Sequence, residues 1–189
     1  MTVNNDSLST NDLREIDAYD LLDLLGMDTA PFEPFDVAKR LGIEVDQSLT
    51  FENIKQSGSI TSHNGRVNIW INPLDSRARQ NFTLAHEIGH YVNDILTGEA
   101  SEIKDTPTTL YRSGESDFRE VRANNFAAKL LMPKDSIVAE ARILIEAQPR
   151  KSMGTFEFIE KMASKFDVSK PAMLVRLKVL KMVEQDYRL

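Results

Sequence analysis

The sequence predicts an α+β fold, in which amphipathic helices surround a small mixed sheet and a helical extension follows at the C-terminus. Apolar residues recur at three- and four-residue intervals in the N-terminal, central and C-terminal parts of the chain, which is the spacing of one helical face. Short runs rich in Ile and Val, two of them separated by a polar turn at residues 62–65, are typical of strands. With 189 residues and 41% hydrophobic content, the chain is long enough to bury a core.

The first part of the chain predicts two helices and three strands. Residues 1–11 are polar and acidic, and we expect them to be disordered because they bury too little apolar surface. Residues 13–25 and 35–41 have helical spacing, and each segment ends beside a glycine, Gly26 or Gly42. The predicted strands are residues 43–45, 54–60 and 67–71.

A central helix is predicted to begin after Ser76 and to end near Gly98. Asp75 and Ser76 have side chains that cap a helix N-terminus, and Gly98 stops the apolar pattern. Between these limits, apolar side chains follow helical spacing at Phe82, Leu84, Ile88, Val92 and Ile95. We therefore expect a largely buried helix.

Two of the three histidines of the chain lie on this helix, in the sequence His86, Glu87, Ile88, Gly89, His90. A four-residue step turns about 400° and rises about 6 Å, so both imidazoles leave the same helical face and can converge on one metal ion. Glu87 is close enough to act on a water bound to that ion. The H-E-x-x-H pattern is typical of zinc metallopeptidases, and it predicts metal binding rather than a pair of hydrogen-bonded core histidines.

A catalytic zinc takes a third protein ligand, and Glu120 is the best candidate. It lies at the start of a predicted helix that ends at Pro133. Asn124 follows one turn later on the same face, where it can orient a ligating imidazole. His63, in a polar turn, is a weaker candidate. Three carboxylates remain rivals on the sequence alone: Asp94, Glu115 and Asp117.

Residues 98–118 connect the two metal-bearing helices. They are rich in Ser, Thr, Asp, Glu and Gly and lack apolar periodicity, so we expect a long loop that forms one wall of a cleft. A peptidase needs an electrophile opposite its base. Tyr111, Arg112 and His63 are candidates for this role. The sequence does not choose among them, because Tyr and Arg in a loop also serve ordinary packing and ion pairing.

The C-terminal part predicts three further helices. Residues 137–147 form one, residues 156–166 another, and Ser169 caps a third that continues to about Leu180. The last two resemble helix-turn-helix geometry, and four cations of the final helix could face phosphates. These are Lys170, Arg176, Lys178 and Lys181. Helical hairpins that close a core are much commoner than DNA readers.

Charge and composition limit the function classes. Residues 1–149 carry 14 Lys and Arg against 24 Asp and Glu, a net charge of −10, whereas residues 150–189 carry 9 against 5, a net charge of +4. An acidic catalytic part argues against direct nucleic-acid binding. The chain has no cysteine, so metal ligands must supply nitrogen or oxygen. No apolar run reaches the roughly 20 residues that span a bilayer, and no signal peptide is evident; we expect a cytoplasmic protein without membrane partners.

Two motifs together carry a family resemblance. The segment F-T-L-A-H-E-I-G-H-Y at residues 82–91 and the segment E-V-R-A-N-N-F-A-A-K-L-L-M-P at residues 120–133 resemble the ImmA/IrrE family of zinc metallopeptidases, and the resemblance extends over roughly residues 34–180. We expect a zincin-like core over residues 12–135, with the helical residues 136–189 packed on it. Arg122 departs from the commonest pattern, since family members often have another Glu there.

The resemblance also implies site residues and a role. His86, His90 and Glu120 would bind one Zn²⁺ ion per chain, and Glu87 would be the catalytic base. Family members typically cleave or antagonise helix-turn-helix repressors, often encoded beside them in prophage, mobile-element or stress-response loci. We therefore expect a zinc endopeptidase whose protein partner is such a repressor. Two alternatives remain: an anti-repressor that binds without cutting, and a DNA-binding regulator that acts through the C-terminal helical hairpin.

Overall fold

The computed structural model describes residues 9–28, 30–105, 115–147 and 153–189. It confirms the predicted α+β class, with helices on a small mixed sheet. Its helices are α1 (Thr10–Leu13), α2 (Ala18–Leu24), α3 (Pro34–Arg40), α4 (Arg77–His90), a π-helical turn (Tyr91–Ile95), α5 (Glu115–Leu131), α6 (Lys134–Glu146), α7 (Thr155–Lys165) and α8 (Lys170–Val179). The strands are β1 (Glu44–Asp46), β2 (Gly58–His63), β3 (Arg66–Ile71) and β4 (Glu102–Asp105).

The sheet has the strand order β1-β3-β2-β4. β2 and β3 form an antiparallel hairpin, and its two-residue turn is Asn64 and Gly65, both with positive φ (50° and 76°). This is the Asn-Gly turn that matches the twist of a hairpin. β1 pairs with β3 in parallel, and β4 pairs with β2 antiparallel. The buried side chains of Ile60, Ile69 and Ile71 join the core that the helices cover.

The motif helix α4 begins where the sequence predicts. The Ser76 side chain accepts a hydrogen bond from the backbone N–H of Arg79, which satisfies one of the unpaired donors of the first turn. After His90 the helix widens into the π-helical turn, and Gly98 (φ +82°) ends the segment. Short π-helical segments within helices are frequent at functional sites, and this one carries Asp94 directly behind His90.

The second helix, α5, crosses α4 at very close range. A Cβ atom on Gly89 would lie 3.1 Å from the Ala123 Cα and 3.2 Å from the Phe126 Cβ. A Cβ at residue 89 would require these neighbours to give by a few tenths of an ångström, so glycine allows the approach without a shift. Because Glu120 and Asn124 stand three residues before and one residue after Ala123, the crossing carries both toward the histidines.

The C-terminal helices share the core of the rest of the chain. Ile159, Met162, Met173 and Leu177 are fully buried in the same apolar cluster that contains the sheet and α4. The buried Arg176 donates hydrogen bonds to the Met132 carbonyl and to the Tyr19 hydroxyl. These contacts fasten α8 to both α5 and α2.

Several predicted boundaries are wrong. The predicted helix 13–25 is shorter, since Leu13 ends α1 and α2 covers only Ala18–Leu24, because the backbone breaks at Glu15 (φ +53°) and Asp17 caps α2. Residues 54–57 are turns rather than strand, since the Asn72 side chain donates hydrogen bonds to the Ile54 and Gln56 carbonyls. The predicted loop 98–118 contains β4, and α5 begins at Glu115, five residues earlier than Glu120. At residues 54–57 and at β4, contacts with distant segments override a weak local signal.

The described residues include no helix with the length and apolarity that a bilayer crossing requires. Most of the predicted disordered segment, residues 1–8, lies outside the described part of the chain.

Candidate metal centre

Three side chains from two helices meet in the interior. His86 and His90 of α4 have exposed fractions of 4% and 0%, and Glu120 of α5 is largely buried. The two His Nε2 atoms lie 3.0 Å apart. The Glu120 carboxylate lies 3.3 Å from His86 Nε2 and 3.4 Å from His90 Nε2. One ligand-type atom from each of the three residues lies within 4.8 Å of those of the other two.

These separations fit a tetrahedral metal site. Ligand atoms about 2.0–2.1 Å from a tetrahedral ion are separated from one another by roughly 3.3 Å. The three observed distances of 3.0, 3.3 and 3.4 Å bracket this value. Three protein ligands also leave the fourth position for water or substrate, as catalytic sites require. The two histidines and Glu120 can therefore hold one metal ion.

Each histidine is oriented by a hydrogen bond from its other nitrogen. His86 Nδ1 lies 3.0 Å from the Asn124 side-chain oxygen, and His90 Nδ1 lies 2.6 Å from Asp94 Oδ2. Both partners are acceptors here, so each Nδ1 carries a proton and each Nε2 is presented to the metal. The role predicted for Asn124 is confirmed in its geometry. Asp94 contacts His90 Nδ1, the nitrogen that faces away from the His-His-Glu group, and it is not part of that group.

Arg122 completes this arrangement. Its guanidinium binds Asp94 Oδ1, the carboxylate oxygen that His90 does not use, and it also reaches the Asn93 carbonyl at 3.4 Å. Asp94 is fully buried, and a buried carboxylate needs such partners to remain ionised. Arg122 thus neutralises the carboxylate that holds His90. Sequence reasoning did not find this contact, because it depends on the α4–α5 crossing.

The pKa values of the cluster are set by the burial of its side chains and by the hydrogen bonds between them. Burial lowers the pKa of His90, but the hydrogen bonds to Asp94 and Glu120 outweigh it and raise the pKa to about 9. Burial raises the pKa of Glu120, but the hydrogen bonds to His86 and His90 hold it at about 2. Without metal, a proton on His90 therefore balances the ionised Glu120 near neutral pH. A divalent ion would replace that proton.

Glu87 lies next to the cluster on α4 but outside the group that could share an ion. Its exposed fraction is 0%. Its carboxylate lies against β2: a Cβ atom built on Gly58 would be 2.7 Å from Glu87 Oε1. The Glu87 side chain thus packs against the strand beneath it.

The remaining candidates lie elsewhere. His63 is exposed at the far end of β2, about 16 Å along the strand from Gly58 at 3.3 Å per residue. Tyr111 and Arg112 lie outside the described residues, as do the side chains of Glu115 and Asp117, although both of these belong to the first turn of α5.

The comparisons with known proteins agree with this geometry. The family model described as the IrrE N-terminal-like domain (Peptidase_M78) matches residues 38–178, a segment that contains the sheet and both metal-bearing helices. A search of curated proteins gave no match. The match covers more than half of the chain and includes the His-His-Glu group on two helices. The chain therefore belongs to the IrrE N-terminal-like family of metallopeptidases.

Proposed function

We propose that this metallopeptidase is a zinc-dependent endopeptidase in which His86, His90 and Glu120 hold the ion and Glu87 is the general base. The observation that supports it most is the triangle of two Nε2 atoms and one carboxylate at 3.0–3.4 Å, with Glu87 beside it and outside the shared group. Nitrogen and oxygen ligands in a tetrahedral arrangement suit zinc, and the chain offers no thiolate.

The proposed mechanism divides the work among residues of two helices. A bound zinc ion supplies two effects, a lower pKa for its water and polarisation of the scissile carbonyl. Asn124 and Asp94 keep the two imidazoles in the tautomer that presents Nε2. Glu87 takes the proton of the attacking water and passes it to the leaving amine. Its complete burial keeps bulk water from competing for that proton.

The proposed substrate is a helix-turn-helix transcriptional repressor encoded nearby. Family membership implies a protein substrate, and the narrower choice rests on the ImmA/IrrE resemblance. Such repressors act on DNA in the cytoplasm, so the proposal places the peptidase there as well.

The test is incubation of the purified, zinc-loaded protein with a candidate repressor from an adjacent reading frame. Mass spectrometry should detect two repressor fragments whose masses add up to the intact chain plus one water. A chelator should prevent their formation, and so should Glu87→Gln, because an amide cannot accept the proton. An intact repressor after incubation with wild-type protein would contradict the proposal.

A pull-down and a cellular derepression assay decide whether the protein is instead an anti-repressor that only binds. In a pull-down, Glu87→Gln should retain the uncut repressor but lose the derepression that wild type causes in cells. If Glu87→Gln derepresses as well as wild type, sequestration is the physiological activity.

The contacts of α8 do not favour DNA binding. Arg176 is buried and committed to Met132 and Tyr19, and Lys178 donates to two backbone carbonyls near the C-terminus. The exposed face of α8 instead presents Val175 and Val179, with exposed fractions of 61% and 66%. Truncation near residue 150 would also remove part of the core, so the cleaner test is duplex binding by Lys181→Glu. We expect no duplex affinity in wild type and no change in the variant.

A further inference from the structure

Gly58 lies in the sheet at a position whose backbone conformation does not require glycine. It pairs with Ile71 on one side and with Asp105 on the other, so it lies inside the sheet. Its φ is outside the left-handed region, and every residue type adopts extended backbone. Glycine is also a poor strand former, because it packs no side chain and loses the most entropy on folding. A glycine in a strand interior marks a site of close approach.

The close approach is between β2 and one face of α4. A Cβ atom on Gly58 would lie 2.4 Å from Thr83 Cγ2 and 2.7 Å from Glu87 Oε1. Thr83 and Glu87 stand one turn apart on the same face of the helix. Both distances are far shorter than ordinary van der Waals contact, which begins near 3.4 Å. Any side chain at residue 58 would therefore displace the Glu87 carboxylate, the Thr83 methyl group, or both.

We propose that Gly58 is a positioning residue of the peptidase: the missing Cβ sets where the Glu87 carboxylate stands beside the metal. This inference rests on the base role of Glu87 given above. An alanine would have to move Oε1 by about 0.7 Å to reach ordinary contact. A misplacement of roughly 1 Å at a reacting group costs up to about a hundredfold in rate. We expect Gly58→Ala to lower kcat by about ten- to a hundredfold and to change KM by less than threefold.

The competing explanation is ordinary packing against Thr83. The two explanations separate because the Thr83 contact is made by Cγ2, which serine lacks. In Gly58→Ala/Thr83→Ser the methyl conflict is gone, whereas the conflict with Glu87 Oε1 remains. Thr83→Ser alone is the matched control, and it should keep wild-type activity. The metal ligands are not among the nearest atoms to the added Cβ, so zinc content should stay near that of wild type in all three variants.

The experiment measures three quantities for zinc-loaded wild type and variants: zinc per chain, thermal midpoint, and affinity for acetohydroxamate. This small zinc ligand donates a hydrogen bond to a neighbouring carboxylate, so its affinity reports the position of Glu87 without any substrate. We expect Gly58→Ala to weaken acetohydroxamate binding at least tenfold. The double variant should regain thermal stability but not affinity, and any peptide that wild type cleaves should show the same loss in kcat.

Recovery of wild-type affinity and kcat in the double variant would overturn the inference, because Gly58 would then serve only to accommodate Thr83. Unchanged affinity in Gly58→Ala itself would overturn it as well. Glu87→Gln distinguishes this failure from that of the proposed function. If Glu87→Gln binds acetohydroxamate weakly and is inactive while the Gly58 variants behave as wild type, only the inference fails. If Glu87→Gln is fully active, the base assignment itself fails.

Discussion

Gly89 of α4 and Ala123 of α5 approach so closely that a Cβ atom on Gly89 would lie 3.1 Å from the Ala123 Cα. This contact determines the metal centre, because His86 and His90 come from one helix and Glu120 from the other. The neighbours are backbone atoms and the Cβ of Phe126, none of which is the flexible end of a side chain. A side chain on Gly89 would therefore push the two helices apart by a few tenths of an ångström.

Gly89→Ala should accordingly weaken both the fold and the metal centre. Overpacking of this kind costs about 1–3 kcal/mol, and helix separation would lengthen the distances from Glu120 to both imidazoles. We expect a lower free energy of unfolding and at least tenfold weaker zinc affinity by competition with a chelator. Gly154→Ala is the control, since nothing lies within 4 Å of its added Cβ. Equal zinc affinity in the two variants would refute the role of the crossing.

Asn124→Ala tests the orientation of His86. Loss of the 3.0 Å hydrogen bond from His86 Nδ1 frees the ring to rotate and to adopt the other tautomer. Zinc affinity should fall by about ten- to a hundredfold, without loss of the one-to-one stoichiometry. The neighbouring Asn125 is exposed, so Asn125→Ala supplies the control. No difference between the two variants would show that the hydrogen bond does not orient the ligand.

Arg122→Met tests the ion pair behind His90. Asp94 is fully buried, while the Arg122 side chain keeps an exposed fraction of 25%, so the loss should be smaller than the roughly 3–5 kcal/mol of a fully buried pair. We expect destabilisation of about 1–3 kcal/mol and weaker zinc binding, because Asp94 then holds His90 less firmly. Glu99→Gln removes only the 3.5 Å contact of an exposed carboxylate with Arg122. If Glu99→Gln has the larger effect, the assignment of Asp94 as the main partner is wrong.

The pKa of His90 predicts how pH affects the metal-free protein. Its folded value of about 9 exceeds the unfolded value of about 6.5. The protonated His90 therefore contributes stability that is complete below pH 6.5 and is lost as the pH rises through 9. Chelator-treated protein should lose thermal stability between pH 7 and 10. Zinc-loaded protein should not show this loss, because the ion excludes the proton.

Proton release gives an independent check of the same shift. Zinc binding at pH 7.5 should displace about one proton from His90. Calorimetry in buffers of different ionisation enthalpy measures this number directly. A release close to zero would mean that His90 is already neutral in the metal-free protein.

The part of the site that could be predicted from the sequence is the part that follows from helical residue spacing. The spacing of His86 and His90, and of Glu120 and Asn124, places each pair on one helical face, and the structure brings the two faces together. Asp94 carries the same signal, since it stands four residues after His90, but the sequence could not show that it faces the far nitrogen. That depends on the α4–α5 crossing and on Arg122.

The unpredicted parts depend on contacts between distant segments. β4 has a polar sequence without alternation, and it is a strand because β2 pairs with it. Gly58 falls within the predicted strand 54–60, and the reason for a glycine there appears only when β2 is placed against α4. The break at Glu15 is accompanied by a hydrogen bond from its backbone N–H to the Val92 carbonyl, 77 residues away. The local conformational propensity of the residues does not report such long-range interactions.

The most direct test of the account is the zinc content of two glutamine variants, measured side by side by plasma mass spectrometry. Glu120 touches both histidines, whereas Glu87 lies outside the shared group. We predict about one zinc per chain for wild type and for Glu87→Gln, and almost none for Glu120→Gln. Full zinc in Glu120→Gln together with loss in Glu87→Gln would contradict the assignment of ligand and base.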